Sequence, residues 1–199
     1  GYWQQDVHYR IQARLDEVKD LVEGNAELTY WNNSPDTLKE AFFHLYINAA
    51  RPGSYLDQIS PRPKDGRQRG TDVHSMTVDG QEPEREIDNT VMRVVLPDPL
   101  PPGGKVVFNY RFTTHWGGIY RMKTYKHWGV KHFDGTQWYP RISVYDRKFG
   151  WDTQQYLGHE FYGDFGTFDV DLDMPNDMVV EATGWLQNPE EVMPPELRR

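Results

Sequence analysis

The chain has 199 residues and no cysteine, and its 30 acidic residues against 22 basic ones give a net charge of −8. Without cysteine there is no disulfide, no cysteine-ligated zinc and no thiol nucleophile, and an acidic surface repels nucleic acid, so we expect no nucleic-acid partner. No apolar run reaches the roughly 18–20 residues of a transmembrane segment, and the opening residues GYWQQDVHYR lack the apolar core of a signal peptide.

The first two elements are predicted to be the strands of one hairpin. In DVHYRIQARLD, residues 6–16, apolar and polar residues alternate, which places the apolar set on one face of a strand. The alternation resumes from Ala26 to Tyr30 and ends at a cluster of turn-forming residues at 32–36. The short connection EVKD between the two runs favours a hairpin.

The rest of the chain continues the strand pattern. Further strands are predicted over residues 37–47, 72–80, 89–97, 104–113, 166–175 and 177–186. No window of a dozen residues has helical periodicity, so the predicted fold class is all-β, a β-sandwich or a set of curved antiparallel sheets. We predict one domain over residues 1–186 and interpret residues 187–199, which lack the strand pattern, as a linker leaving it.

Residues 48–71 are predicted to form the longest irregular connection, because they are rich in Pro, Gly and Arg. A basic cluster lies in this stretch, and we interpret it as a solvated loop rather than a phosphate-binding site. Its members are Arg62, Lys64, Arg67 and Arg69.

The histidines form no metal-binding motif. His115, His127 and His132 are close in sequence, but their spacing does not by itself bring three ligands to one zinc ion, so we interpret them as polar residues of strand faces. The sequence HEFYG at residues 159–163 resembles the start of a zinc-protease motif, but it lacks the second histidine four residues on.

The acidic residues of the predicted strand 166–175 are also interpreted as polar residues of a strand face rather than as metal ligands. Asp169, Asp171 and Asp173 alternate with apolar residues, as expected of a strand with one face in water. Calcium sites usually gather six to eight oxygens from a loop. We therefore predict no metal site and no catalytic residue within this chain.

Residues 136–151, TQWYPRISVYDRKFGW, combine five aromatic residues with three basic ones, and we call them the aromatic segment. Ile142 and Val144 alternate with Arg141 and Ser143, as in a half-buried strand. Pro140 cannot donate to a strand ladder, so it predicts an edge or entry position.

The aromatic segment belongs to a series of blocks that resembles a known family. The blocks that follow and precede it are YLGHEFYGDFGTFDVDLDMPNDMVVEATGWL and LTYWNNSPDTLKEAFFHLYINAAR. In order and number they resemble the N-terminal domain of the aminopeptidase N-like (gluzincin) zinc metallopeptidases, bacterial branch, from Tyr2 to Leu186. The resemblance implies a saddle-shaped β domain that caps a separate thermolysin-like catalytic domain of the same chain.

The resemblance also implies where the chemistry lies. The zinc-binding H-E-x-x-H of the family belongs to its catalytic domain and does not occur here. The chain is therefore expected to be a noncatalytic cap that binds no metal and hydrolyses no peptide alone, while the parent protein carries zinc and acts on peptides. An extracytoplasmic location, periplasmic or secreted, is expected by resemblance as well.

Gln137 is the one candidate substrate-binding residue. In the family, a Gln or Glu from an N-terminal-domain loop accepts hydrogen bonds from the free α-amino group of the substrate, and Gln137 matches that position best. An ammonium group offers only donors, so an amide oxygen is a fitting partner. The interpretation of Gln137 as a polar strand-end residue without contact to substrate stays open beside it.

The aromatic content supports a second hypothesis. Aromatic residues make up 14% of the chain and include seven Trp, and carbohydrate-binding β-sandwich modules stack exposed aromatic rings on sugars. A structural adhesion domain is a third hypothesis, based on fold class alone. The cap hypothesis predicts an exposed apolar patch near Trp138, Tyr139 or Trp151, where the catalytic domain would dock.

Overall fold

The computed structural model describes residues 1–61, 69–117 and 122–198. Three members of the basic cluster, Arg62, Lys64 and Arg67, lie outside these residues.

The strands of the described ranges are β1 Asp6–Asp16, β2 Leu21–Trp31, β3 Leu38–His44, β4 Thr71–Val78, β5 Arg85–Asp88, β6 Val91–Leu100, β7 Lys105–His115, β8 Met122–His127, β9 Val130–Gly135, β10 Arg141–Ile142, β11 Tyr145–Asp146, β12 Gly150–Trp151 and β13 Thr167–Asp173. Short helices are α1 Tyr55–Ile59 and α2 Pro189–Val192, with 3₁₀ turns at Tyr46–Ala50 and Pro195–Leu197.

Two larger sheets organise the strands. The five-stranded sheet has the order β13-β1-β2-β7-β4, and the four-stranded sheet has the order β10-β3-β6-β5. The predicted first hairpin is confirmed, since β1 and β2 pair along their whole length. Strand β13 joins β1 in parallel, whereas the other pairings are antiparallel. Two small hairpins, β8–β9 and β11–β12, stand outside both sheets.

The core lies between the facing sides of the two larger sheets. The predicted alternation of β1 buries Val7, Tyr9, Ile11, Ala13 and Leu15, and all five belong to one hydrophobic cluster. The sheets meet directly where Phe43 of β3 packs edge-to-face on Phe108 of β7, with ring centroids 5.2 Å apart. The all-β sandwich prediction is therefore confirmed, and the burial of apolar faces stabilises it.

The outer face of the five-stranded sheet is polar. Asp169, Asp171 and Asp173 are exposed on β13, as the alternation predicted. Asp169 lies 2.8 Å from His8 of β1, and Asp173 lies 3.5 Å from Arg14 of the same strand. The Arg14–Asp173 pair is exposed on both sides and contributes little to stability, so this face is a solvated surface.

One sequence prediction is wrong, and two more are wrong in part. Residues 177–186 form no strand, and no strand of the described ranges pairs with them. An alternating sequence forms a strand only where a neighbouring strand edge is available for pairing. Val179 and Trp185 are exposed in this stretch. The connection 48–71 is not wholly irregular, since it contains α1, whose N-cap Ser54 accepts a hydrogen bond from the Asp57 amide. In the aromatic segment, Ser143 is buried like Ile142 and Val144, against the predicted alternation, and its amide donates to the Phe42 carbonyl of β3 at 2.8 Å.

None of the helices in the described ranges has the length and apolar character that a membrane crossing requires.

Candidate functional site at the aromatic segment

Two buried tyrosines of the five-stranded sheet hold the aromatic segment in place. The Tyr110 hydroxyl donates to the carbonyl oxygen of Pro140 at 2.8 Å, and the Ile142 amide donates to the Tyr9 hydroxyl at 2.9 Å. Burial raises the pKa of both phenols far above their ordinary value, so neither ionises in the folded protein. The segment is therefore fixed to the sheet face at the point where β10 begins. Pro140 lies directly before β10, the outermost strand of its sheet, in agreement with the predicted edge or entry position.

Gln137 lies in the bend between β9 and β10 and is half-buried. Its backbone is left-handed, with φ of 57°. A non-glycine residue in this region costs on the order of 1 kcal/mol, and such strain is often found at functional positions. In the hydrogen bonds that the described residues form, the Gln137 amide takes no part.

The aromatic rings of the two residues after Gln137 hold its backbone in place. Trp138 packs against Phe112 with ring centroids 6.1 Å apart, and Tyr139 packs against Tyr9 at 5.4 Å. Both rings contact the hydrophobic cluster between the sheets. The backbone at Gln137 is thus held by its two neighbours, while its side-chain amide makes no hydrogen bond within the described ranges.

The three aromatic residues singled out for an exposed patch are half-buried. Trp151 packs on Tyr30 with centroids 5.9 Å apart, and Trp138 and Tyr139 pack as described above. More exposed rings are Phe149 (66% exposed), within the aromatic segment, and Phe165 (91% exposed), which follows Asp164 in the loop before β13. Phe149 and Phe165 therefore expose more apolar surface than Trp138, Tyr139 and Trp151, the residues predicted to form the patch.

Arg141 connects the aromatic segment to the loop that precedes β13. Its Nη2 donates to the carbonyl oxygen of Asp164 at 3.1 Å. The guanidinium lies so close to Gly163 that a Cβ at that position would overlap it. A side chain at position 163 would therefore force the Arg141 guanidinium to move.

The Asp164 side chain has an unusual electrostatic setting. Burial raises the pKa of its carboxyl to about 6, the Arg141 guanidinium opposes this effect, and Asp146 and Asp6 add to it. Asp146 is itself engaged, since the Tyr162 hydroxyl donates to it at 2.9 Å. The loop therefore carries a carboxyl that takes up a proton close to neutral pH.

His44 lies beneath the same segment, buried and stacked on Tyr46 with ring centroids 4.8 Å apart. Its Nε2 is 3.6 Å from Oδ2 of Asp152, and this proximity lowers the pKa of the Asp152 carboxyl. The Asp152 amide donates to the Val144 carbonyl at 2.8 Å. His44 was not predicted as a site residue, because a lone histidine in a strand has no sequence signature.

The histidines considered as metal ligands are divided between two elements. His115 ends β7 beside Asp72, with Nε2 and Oδ2 3.7 Å apart. His127 and His132 lie on the β8–β9 hairpin with ring centroids 6.4 Å apart. Within the part of the chain that the structure describes, no group of three or more His, Asp or Glu side chains is arranged to hold a metal ion.

The tryptophans on which the carbohydrate-binding hypothesis rests are mostly used in packing. Five of the seven are buried or half-buried, and only Trp128 and Trp185 are exposed. For example, Trp3 stacks on Tyr145 with centroids 5.7 Å apart, and Trp116 packs on Phe133.

No protein-family model matches the chain, and no curated protein matches it. Its fold does match solved structures. An M1 zinc metallopeptidase mutant from Deinococcus radiodurans, bound to a Tyr-Ser-Ala substrate, matches with a TM-score of 0.56 at 18% identity, over 92% of this chain and 35% of that chain. The M1 zinc metallopeptidase from Deinococcus radiodurans without the mutation matches with a TM-score of 0.51 at 17% identity over the same shares.

The chain spans about a third of the length of these enzymes, so the likeness concerns one part of them. At this level of identity the likeness shows the fold alone. It agrees with the order of the sequence blocks. The chain thus has the all-β fold of one portion of the M1 zinc metallopeptidases, the family that its sequence resembles.

Proposed function

We propose that this chain is the noncatalytic N-terminal β domain of an M1 zinc aminopeptidase, which caps a catalytic domain elsewhere in the parent protein. The observation that carries the proposal is the fold match, which includes 92% of this chain and only 35% of the matched enzyme. A partial match of this kind is expected of one domain of a larger peptidase. By the resemblance alone, we also propose that the parent is extracytoplasmic.

The catalytic zinc of the parent is assigned to its catalytic domain. The side chains of the described ranges do not fit a zinc site, because no three ligands converge there. We therefore derive no zinc-dependent step from this chain. Its own contribution to catalysis is to bind and orient the peptide substrate, and to exclude water where it covers the catalytic domain.

We further propose that Gln137 binds the α-ammonium group of the substrate. Three observations support this role: the strained left-handed backbone, the amide without a hydrogen bond among the described residues, and the packed rings of Trp138 and Tyr139 behind it. A rigidly held acceptor fixes the N-terminus of the substrate, and this sets which peptide bond reaches the metal centre.

The domain assignment is tested by the parent protein. Its coding sequence beyond residue 199 should encode H-E-x-x-H within the following few hundred residues. The purified parent should release a chromogenic amine from an aminoacyl substrate, and a chelator should abolish the release. This chain alone should release none. Chelator-sensitive activity of this chain, or a parent without the motif, would overturn the assignment.

A further inference from the structure

The β8–β9 hairpin exposes one of its two faces and its tip. Phe133 on one face packs against Trp116, whose Nε1 donates to the Asp134 carbonyl at 3.0 Å. The opposite face carries Tyr125, which is 45% exposed, and Val130, which is 57% exposed. The hairpin is therefore anchored to the core through one face while the other face and the tip point into solvent.

The tip residue Trp128 is poorly suited to its position. Trp128 and Gly129 form the two-residue turn, with φ of 51° and 82°. Such turns need positive φ at both residues, which favours Asn, Asp or Gly and strains a bulky side chain. The indole is also 89% exposed, and among the residues that the structure describes its ring contacts only that of His127, at 4.0 Å between centroids. Folding gains little from a tryptophan here, which indicates a role outside the fold.

The charge of the hairpin is opposite to that of the whole protein. Residues 122–135 contain three lysines and one aspartate, although the chain has a net charge of −8. Lys126 and Lys131 lie directly opposite each other, a cross-strand pair that repels. Lys131 is neutralised by Asp20 and also donates to the carbonyl of Glu17. Lys126 is exposed and takes part in no ion pair of the described residues.

We propose that the tip of this hairpin binds the surface of an anionic lipid membrane. Trp128 and Val130 would enter the interfacial layer, where an indole buries its apolar ring and keeps its N–H in a polar environment. Lys126 would contact lipid phosphates, since its positive charge complements an anionic surface.

Vesicle binding tests the proposal on the intact chain. Co-sedimentation with phosphatidylcholine vesicles containing phosphatidylglycerol should recover the protein, and pure phosphatidylcholine vesicles should recover much less. Trp128→Ala should weaken the partition coefficient by about tenfold. Trp185→Ala is the matched control, because Trp185 is 92% exposed outside the hairpin, and it should leave binding unchanged. Lys126→Gln should weaken binding to anionic vesicles about fivefold.

Trp128→Asn separates a binding role from a structural one. Asparagine suits the turn, so this variant should melt at the same or a higher temperature than the wild type while it loses vesicle binding. If the wild type does not bind anionic vesicles, or if the Trp128 and Trp185 variants lose binding equally, the membrane proposal is wrong. The first of these results would leave a protein partner as the explanation for the exposed indole.

Discussion

The hydroxyl oxygen of Tyr9 lies 2.9 Å from the amide nitrogen of Ile142, although 133 residues separate the two in sequence. This bond joins the central region of the five-stranded sheet to the first residues of the four-stranded sheet's edge strand. It also fixes the start of β10, four residues beyond the proposed amine-binding residue. The position of Gln137 thus depends on a tyrosine in the first strand.

Tyr9→Phe is expected to destabilise the protein by about 1–3 kcal/mol, because the buried Ile142 amide then has no acceptor. The free energy of unfolding in urea measures this loss. Tyr55→Phe is the matched control, since the Tyr55 hydroxyl donates to Asp88 in an exposed position and its loss should cost less than about 0.5 kcal/mol. Equal losses in both variants would contradict the structural role of Tyr9.

Gly163→Ala should displace the Arg141 guanidinium and break its hydrogen bond to the Asp164 carbonyl. We expect a loss of about 1–2 kcal/mol in the free energy of unfolding, since one half-buried charged donor loses its partner. In an Arg141→Ala background, the same change should cost much less, because no side chain then occupies the space. A double-mutant cycle measures the coupling, and additive effects would refute the contact.

The Asp164 carboxyl predicts a specific pH dependence of stability. Burial raises its pKa to about 6 from an ordinary 3.8. The folded state therefore binds the proton more tightly than the unfolded state. The stabilisation that the protonated Asp164 carboxyl adds to the free energy of unfolding is fully present below pH ~4, and it is lost as the pH rises through ~6. After allowance for partial solvent screening, the loss amounts to about 1–2 kcal/mol.

Asp164→Asn tests this prediction, because its neutral side chain resembles the protonated acid at every pH. The variant should match the wild type near pH 4 and exceed it in stability at pH 7. Asp171→Asn, which removes an exposed carboxylate of the polar sheet face, should show no such difference. A constant offset between Asp164→Asn and the wild type across this pH range would mean that the carboxyl does not titrate there.

The features that the sequence predicted are those with a local pattern. Alternation located β1 and β2, and with them the buried face of the sheet, because side-chain direction in a strand has a period of two. Alternation did not predict whether a strand finds a partner, so residues 177–186 were wrongly predicted as a strand. The Tyr9–Ile142 bond, the Arg141–Gly163 contact and the His44–Asp152 pair join distant parts of the chain and have no local signature. Gln137 was found only through the family resemblance, and its backbone strain emerged with the structure.

The role of Gln137 can be tested by kinetics of the full-length parent. A hydrogen bond to a charged partner contributes roughly 1.5–3 kcal/mol, and each tenfold change in rate corresponds to about 1.4 kcal/mol. Gln137→Ala should therefore lower kcat/KM for free-amine substrates by about one to two orders of magnitude. Substrates with an acetylated N-terminus never make this contact, so their poor turnover should barely change.

Gln137→Gly adds a control for folding. Glycine adopts a φ of 57° without strain, so this variant should be at least as stable as Gln137→Ala while it loses the same amide. If both variants lose activity equally on free-amine substrates, the lost hydrogen bond is the cause and not a distorted loop. Equal losses on free and acetylated substrates would mean that Gln137 is structural, and no loss on either would place the amine-binding group elsewhere in the parent.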